Sequence, residues 1–254
     1  MTQAKNYVAV DLGAESGRVM LAKIADEKVT LQEIHRFANG PVEENGSLKW
    51  NFEGLISEIT DGILKAFAAE KDIVSIGVDT WGVDFGLLDE NGDLIAKPYH
   101  YRDKRNEGML EKAIARVGRK ELYESTGIQF LPFNSIYQLM AYKEQEPEVL
   151  AKAKTLLFMP DLIVYALTGE ATAEYTIAST SQMMDMKTKQ WATGLLDALD
   201  LPESILPSIR QPGTLAGKIK PDLAAKLGID EIPVVSVGGH DTASAVAAVP
   251  ASDE

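Results

Sequence analysis

The sequence predicts an α/β domain with a mixed sheet and a helical insertion, and three observations predict it. Apolar strand patterns cluster early, over residues 7–11, 17–24 and 28–38, before any helical pattern begins. A helix and then a buried-looking strand, 73–79, follow at once. Helical periodicity then dominates residues 106–168, and one last apolar strand, 234–237, comes near the end.

In the first segments Val8, Val10, Val19, Met20 and Leu21 are strand formers, and Val29, Leu31, Ile34 and Phe37 continue the pattern as a meander. Residues 39–52 read as a loop, with Gly40-Pro41 and Asn45-Gly46 as turn signals. Leu55, Ile56, Ile59, Ile63, Leu64 and Phe67 recur at three- and four-residue spacing, one face of an amphipathic helix. Ile73 to Asp79 is the next strand, and a hairpin from Val83 to Asp89 turns at Glu90-Asn-Gly92 and returns through Leu94 to Ala96. The order strand, strand, strand, helix, strand opens a ribonuclease H-like half, the unit repeated in folds of the actin, hexokinase and Hsp70 type. Residues 106–125, 134–153 and 160–168 read as helices of an insertion, started by Asn106, Asn134 and Pro160-Asp161 and stopped by Gly127 and Gly169. Scattered Pro and Gly with short helical patterns fill residues 185–232.

Composition narrows the function. The 254 residues carry 25 Lys and Arg against 38 Asp and Glu, a net charge of −13, which repels nucleic acid and anionic lipid. Any phosphate-bearing ligand then needs a cation and local N–H donors. Cysteine is absent, which removes disulfides, thiol nucleophiles and Cys-ligated zinc. The N-terminus passes into a strand without a signal-peptide pattern, and no stretch is long and apolar enough for a membrane helix, so the expected location is cytoplasmic.

Four motifs carry chemistry. Val8-Ala-Val-Asp-Leu-Gly-Ala-Glu-Ser-Gly-Arg18 delivers Asp11 from a strand end to a small-residue turn, whose N–H groups can face an anion while the carboxylate holds a hydrated cation. Arg18 adds a fork of donors. An ordinary surface hairpin uses the same residues. No G-x-x-x-x-G-K-[ST] loop is present, and the Gly217-Lys218 pair is followed by Ile219, so a P-loop or dinucleotide fold is disfavoured. Asp79-Thr-Trp-Gly-Val-Asp84 sets two carboxylates and a Trp around Gly82. Trp81 can stack on a ligand and Gly82 admits one close to the backbone, or Trp81 caps the core while Asp79 and Asp84 satisfy turn amides. Tyr99 to Arg105 packs aromatics and three cations into seven residues, either a polar pocket wall or a solvated helix entry. Gly238-Gly-His-Asp-Thr-Ala-Ser244 follows the last strand, where α/β ligand sites lie. Asp241 can take a proton from a hydroxyl that His240 and Thr242 hold, or cap the next helix.

Taken together and in order, these motifs resemble the FGGY family of carbohydrate kinases, with Leu-Thr-Gly169 and Tyr175-Thr-Ile-Ala-Ser179 adding to the likeness. The second and last motifs resemble its L-rhamnulose branch. The resemblance implies ATP-dependent phosphorylation of L-rhamnulose to L-rhamnulose 1-phosphate with Mg²⁺. Carried over by motif position, Ala14, Glu15, Ser16, Gly17 and Arg18 cradle the ATP phosphates, and Asp11 holds Mg²⁺ through water. Gly82, His240, Asp241 and Thr242 contact the sugar, and Asp241 is the catalytic base.

Family members have two ribonuclease H-like halves with the nucleotide between them. The expectation is therefore an N-terminal, sugar-binding domain over residues 1–244, with residues 245–254 starting the hinge to an absent C-terminal domain of the same protein. Such a half is expected to be inactive alone. A kinase for another ketose or polyol shares these motifs. So does a non-catalytic sugar-binding module, although a module needs no base such as Asp241 aimed at one hydroxyl.

Overall fold

The computed structural model describes residues 4–251. Strands β1 (Lys5–Leu12), β2 (Ser16–Ala25) and β3 (Lys28–Ala38) form the meander, followed by a hairpin of β4 (Pro41–Glu44) and β5 (Ser47–Trp50). The sequence predicts a loop over these residues, 39–52. The hairpin's two-residue turn, Asn45-Gly46, has φ of +54° and +80°, the paired left-handed conformation that matches strand twist.

Helix α1 (Phe52–Ala69) is capped by the Asn51 side chain, which accepts the Gly54 amide at 3.3 Å, and it buries Leu55, Ile59, Ile63, Ala66 and Phe67. Strand β6 (Ile73–Thr80) follows, then β7 (Phe85–Leu88). The expected hairpin after Val83 shrinks to a bridge between Leu88 and Leu94, because β7 is buried along its whole length and pairs with a later strand instead.

The insertion begins with α2 (Met109–Val117) and α3 (Arg119–Thr126), one expected helix broken at Gly118, whose φ is +93°. Next come α4 (Ser135–Gln145) and α5 (Pro147–Lys152), divided where Pro147 removes an amide and starts a new first turn. Strand β8 (Thr155–Phe158) pairs antiparallel with β7, and α6 (Met159–Thr168) returns toward the sheet. Short elements follow: β9 (Ala173–Glu174), α7 (Tyr175–Ser179), β10 (Met184–Asp185), β11 (Gln190–Trp191), α8 (Thr193–Ala198) and β12 (Ile209–Arg210). The chain closes with β13 (Leu215–Lys218), α9 (Pro221–Leu227), β14 (Pro233–Val235) and α10 (Asp241–Ala247).

Six strands make one mixed sheet in the order β13-β14-β6-β1-β2-β3. The meander is antiparallel, while β1, β6 and β14 run parallel, which is the ribonuclease H-like arrangement. One apolar core lies between the sheet and α1, α6 and α9; a second fills the insertion. Among the described residues no helix is long and apolar enough to cross a membrane. The boundary expected at residues 244/245 falls inside α10, and residues 252–254 of the expected hinge lie outside the described residues.

Candidate active site

Parallel pairing of β1 with β6 brings two carboxylates side by side, since Asp11 and Asp79 are register partners near the ends of their strands. After β14 the chain runs alongside β6, with the Thr80 amide donating to the Gly239 carbonyl at 2.9 Å and a parallel bridge from Thr80 to His240. That path delivers Asp241 to the same sheet edge. Asp11, Asp79 and Asp241, with Gly13, Arg18, Thr242 and Ser244, line a cavity of about 510 Å³.

Glu174 holds the delivering segment in place. Its Oε2 accepts the Gly239 amide at 2.9 Å and the Ile177 amide at 3.1 Å, while the Thr176 hydroxyl accepts the His240 amide at 3.2 Å. Ser244 Oγ donates to the Gly238 carbonyl at 2.7 Å. The glycine pair is thus tied to α7 on one side and to α10 on the other.

Within the cavity Arg18 pairs with Asp11 at 2.8 Å. Asp79 Oδ1 is buried without a hydrogen-bond partner. Burial, followed by the charge of Asp11, pushes Asp79 up to about 7. Asp241 Oδ1 accepts the Thr242 amide at 2.5 Å and the Thr242 hydroxyl at 3.1 Å.

A second cavity, of about 550 Å³, lies on the insertion side of the same junction. Trp81, Gly82, Val83, Thr180 and His240 contribute from the sheet end and α7, and Tyr101, Arg102, Ile128, Gln129, Leu131, Phe133 and Asn134 from the insertion. Its wall is organised by Asp84, which is fully buried and accepts Trp50 Nε1 at 2.7 Å, Trp81 Nε1 at 3.1 Å, Gln138 Nε2 at 2.8 Å and the Tyr101 amide at 3.2 Å. Burial pushes Asp84 up to about 6, with those donors acting against it. The indoles of Trp50 and Trp81 pack with centroids 4.1 Å apart. Burial lowers His240 below its ordinary range, leaving a neutral imidazole with its Nε2 3.4 Å from Asp241 Oδ1.

Most residues named from the sequence meet here, with differences. The turn after β1 is only Gly13, Ala14 and Glu15, and the Gly13 amide closes it onto the Ser16 carbonyl at 2.9 Å. Ser16, Gly17 and Arg18 already belong to β2. Gly17 answers to packing: a Cβ there would lie 2.3 Å from the Phe37 ring and 2.7 Å from Leu12. Thr242 lines the carboxylate cavity, whereas His240 and Gly82 line the other. Of the cationic cluster, Tyr101 and Arg102 form cavity wall, but Arg105 is buried between Tyr99 and Tyr142, its guanidinium carbon 3.7 and 4.0 Å from the ring centroids.

The sequence motifs assign Asp79 no site role. Its signal was a second apolar strand ending on Asp, which becomes informative once that strand is paired parallel with the first. The wall from Ile128 to Asn134, and Thr180, carried no local motif.

A family model described as the FGGY family of carbohydrate kinases, N-terminal domain, matches residues 6–248. The rhamnulokinase of Mannheimia succiniciproducens is 45% identical over 251 residues, covering 98% of this chain and 50% of that protein. The rhamnulokinase of Bacteroides thetaiotaomicron is 42% identical over 249 residues, covering 98% and 51%. The chain thus spans about half the length of the curated relatives it matches. Among solved structures, gluconate kinase from Lactobacillus acidophilus superposes with a TM-score of 0.84 at 22% identity, over 94% of this chain and 48% of that one. A ligand-bound xylulose kinase from the same species gives 0.83 at 22% identity, over 93% and 48%. At that identity the likeness shows the fold alone.

Proposed function

The chain belongs to the FGGY family of carbohydrate kinases, and from that premise we propose that it is the sugar-side half of an enzyme phosphorylating L-rhamnulose at its 1-hydroxyl with ATP. The observation that carries the proposal is the adjacency of the two cavities, with His240 on one and Asp241 on the other. A sugar in the Trp81 cavity and a polyphosphate in the carboxylate cavity then meet at Asp241. Rhamnulokinase relatives at 42–46% identity support the choice of ketose over other acceptors.

In this mechanism Asp241 takes the proton of the 1-hydroxyl as the sugar oxygen forms its bond to the γ-phosphorus. The bond from that phosphorus to the ADP oxygen breaks, and its electron pair leaves with ADP. Gly82 and His240 position the sugar, and the neutral His240 offers one donor and one acceptor to its hydroxyls. Thr242 orients the Asp241 carboxylate. Ala14 and Glu15 from the first turn and Arg18 from the start of β2 would face the phosphates, with Ser16 and Gly17 fixing that turn to the sheet.

Sugar kinases use ATP with a divalent metal, and we propose Mg²⁺ held through water by Asp11, with Asp79 beside it. The residues fit such a group: a buried carboxylate oxygen of Asp79 lacks a partner next to Asp11. A cation that keeps most of its waters needs only one or two such carboxylates. When bound, the cation neutralises polyphosphate charge that this acidic chain would otherwise repel. A cytoplasmic location and a C-terminal domain supplying the adenine site belong to the same proposal.

The test is an ADP-release assay of this chain alone and of a polypeptide in which it continues into an FGGY C-terminal domain, with L-rhamnulose, other ketohexoses and glycerol as acceptors. The expected result is turnover of L-rhamnulose only with both halves. Preference for another acceptor overturns the ketose, and full turnover by this chain alone overturns the two-half reading.

A further inference from the structure

Val83 has a φ of +68°, a conformation that a β-branched residue rarely adopts. The Asp84 amide donates to the Gly82 carbonyl at 2.9 Å, so residues 82–84 form the rare, strained γ-turn with a positive φ at its centre. Glycine would take that conformation freely, and one stands immediately before it, yet the strain falls on a valine.

Other elements hold the turn. The Val83 amide donates to Thr180 Oγ1 at 3.2 Å, and its carbonyl accepts Ser135 Oγ at 2.5 Å. A strained backbone so closely held points to a use for the side chain it presents. Val83 is buried but joins neither apolar core; it lines the Trp81 cavity, as do Ile128, Leu131 and Phe133.

We infer that Val83 is a specificity-determining residue, presented by the γ-turn so that with Ile128, Leu131 and Phe133 it seats the methyl terminus of a deoxyketose. The inference rests on the sugar-kinase reading. L-rhamnulose is 6-deoxy-L-fructose, and its methyl is the end of the carbon chain remote from the hydroxyl that Asp241 deprotonates. L-fructose carries a hydroxyl at that end, which would lose water against Val83, Ile128, Leu131 and Phe133. Apolar walls reject an added hydroxyl only modestly, by up to about 10²-fold.

The test compares kcat/KM for L-rhamnulose and L-fructose in the two-half polypeptide, and Kd for both ketoses by calorimetry on this chain. The parent should prefer L-rhamnulose by about 10- to 100-fold. Val83→Thr keeps the β-branch and the strain but adds a hydroxyl, and should shrink that preference roughly tenfold, mainly through KM. Leu131→Asn approaches the same wall without touching the turn and should act in the same direction. Equal parental preference, or variants that weaken both ketoses in parallel, overturns the inference. A parent that prefers L-rhamnulose in binding but phosphorylates neither sugar overturns the kinase reading alone, and the ratio of Kd values still decides the role of Val83.

Discussion

His240 and Asp241 are consecutive residues that line different cavities, with His240 Nε2 3.4 Å from Asp241 Oδ1. In the proposed reaction the phosphoryl group passes from the Asp241 cavity to the sugar beside His240. In the two-half polypeptide, Asp241→Asn is expected to lower kcat by about 10²- to 10⁴-fold, the usual range for loss of a general base. Sugar Kd should stay within a few-fold, because Asn preserves shape and one acceptor. Near-normal kcat would mean that another group takes the proton.

Gly82→Val should act on binding first. A Cβ at Gly82 would lie 3.3 Å from His240 Nε2 and 3.4 Å from Thr180, tighter than ordinary packing before the two further methyls are added. Overpacking of this kind typically costs about 1–3 kcal/mol of stability, and the added methyls also fill space at the edge of the sugar cavity, so calorimetry should read a weaker Kd for L-rhamnulose. Unchanged affinity would remove Gly82 from the sugar contacts.

Asp84→Ala should damage folding and sugar binding together. It leaves two indole N–H groups, the Gln138 amide and the Tyr101 backbone amide without their shared acceptor in a fully buried site. Urea denaturation should show a loss of roughly 3–5 kcal/mol. A loss below about 1 kcal/mol would mean that the aromatic wall organises itself without the carboxylate.

His100 makes stability depend on pH. Its ring lies 4.4 Å from Trp50 and 4.4 Å from Tyr101, its Nδ1 accepts the Arg102 amide at 3.1 Å, and burial pushes it down to about 4. Between about 4 and 6.5 the unfolded chain therefore binds the extra proton, so stability rises with pH and is complete above the unfolded value. This one group should contribute about 2 kcal/mol to the difference between pH 5 and pH 7. His100→Asn, less stable overall, should lack that contribution in denaturation curves at the two pH values.

The sheet and its first helix were legible because their apolar periods are local: the three opening strands and Leu55 to Phe67 carry their own patterns. What escaped depended on partners distant in sequence. Nothing between Val83 and Ala96 announces that β7 will pair with β8 rather than fold back on its own return segment. Pro147 and Gly118 are local breakers, yet continuous periodicity across them read as single helices. The chemistry divides in the same way. Asp11, Gly82, His240 and Asp241 stand in compact motifs, whereas Asp79 gains meaning only beside Asp11, and Thr180 only when α7 reaches the γ-turn.

The shared carboxylate beneath Trp50 and Trp81 also gives the molecule an optical handle. Two of its three tryptophans pack as a tilted pair, with ring centroids 4.1 Å apart and an interplanar angle of 34°, and one of them forms cavity wall. Their coupled transitions should dominate the near-ultraviolet circular dichroism, a signal that survives only while tertiary packing is intact. In the proposed function a sugar entering the cavity would change the surroundings of Trp81 while the pair stays packed, so occupancy and unfolding would leave different spectral traces in the same unlabelled protein.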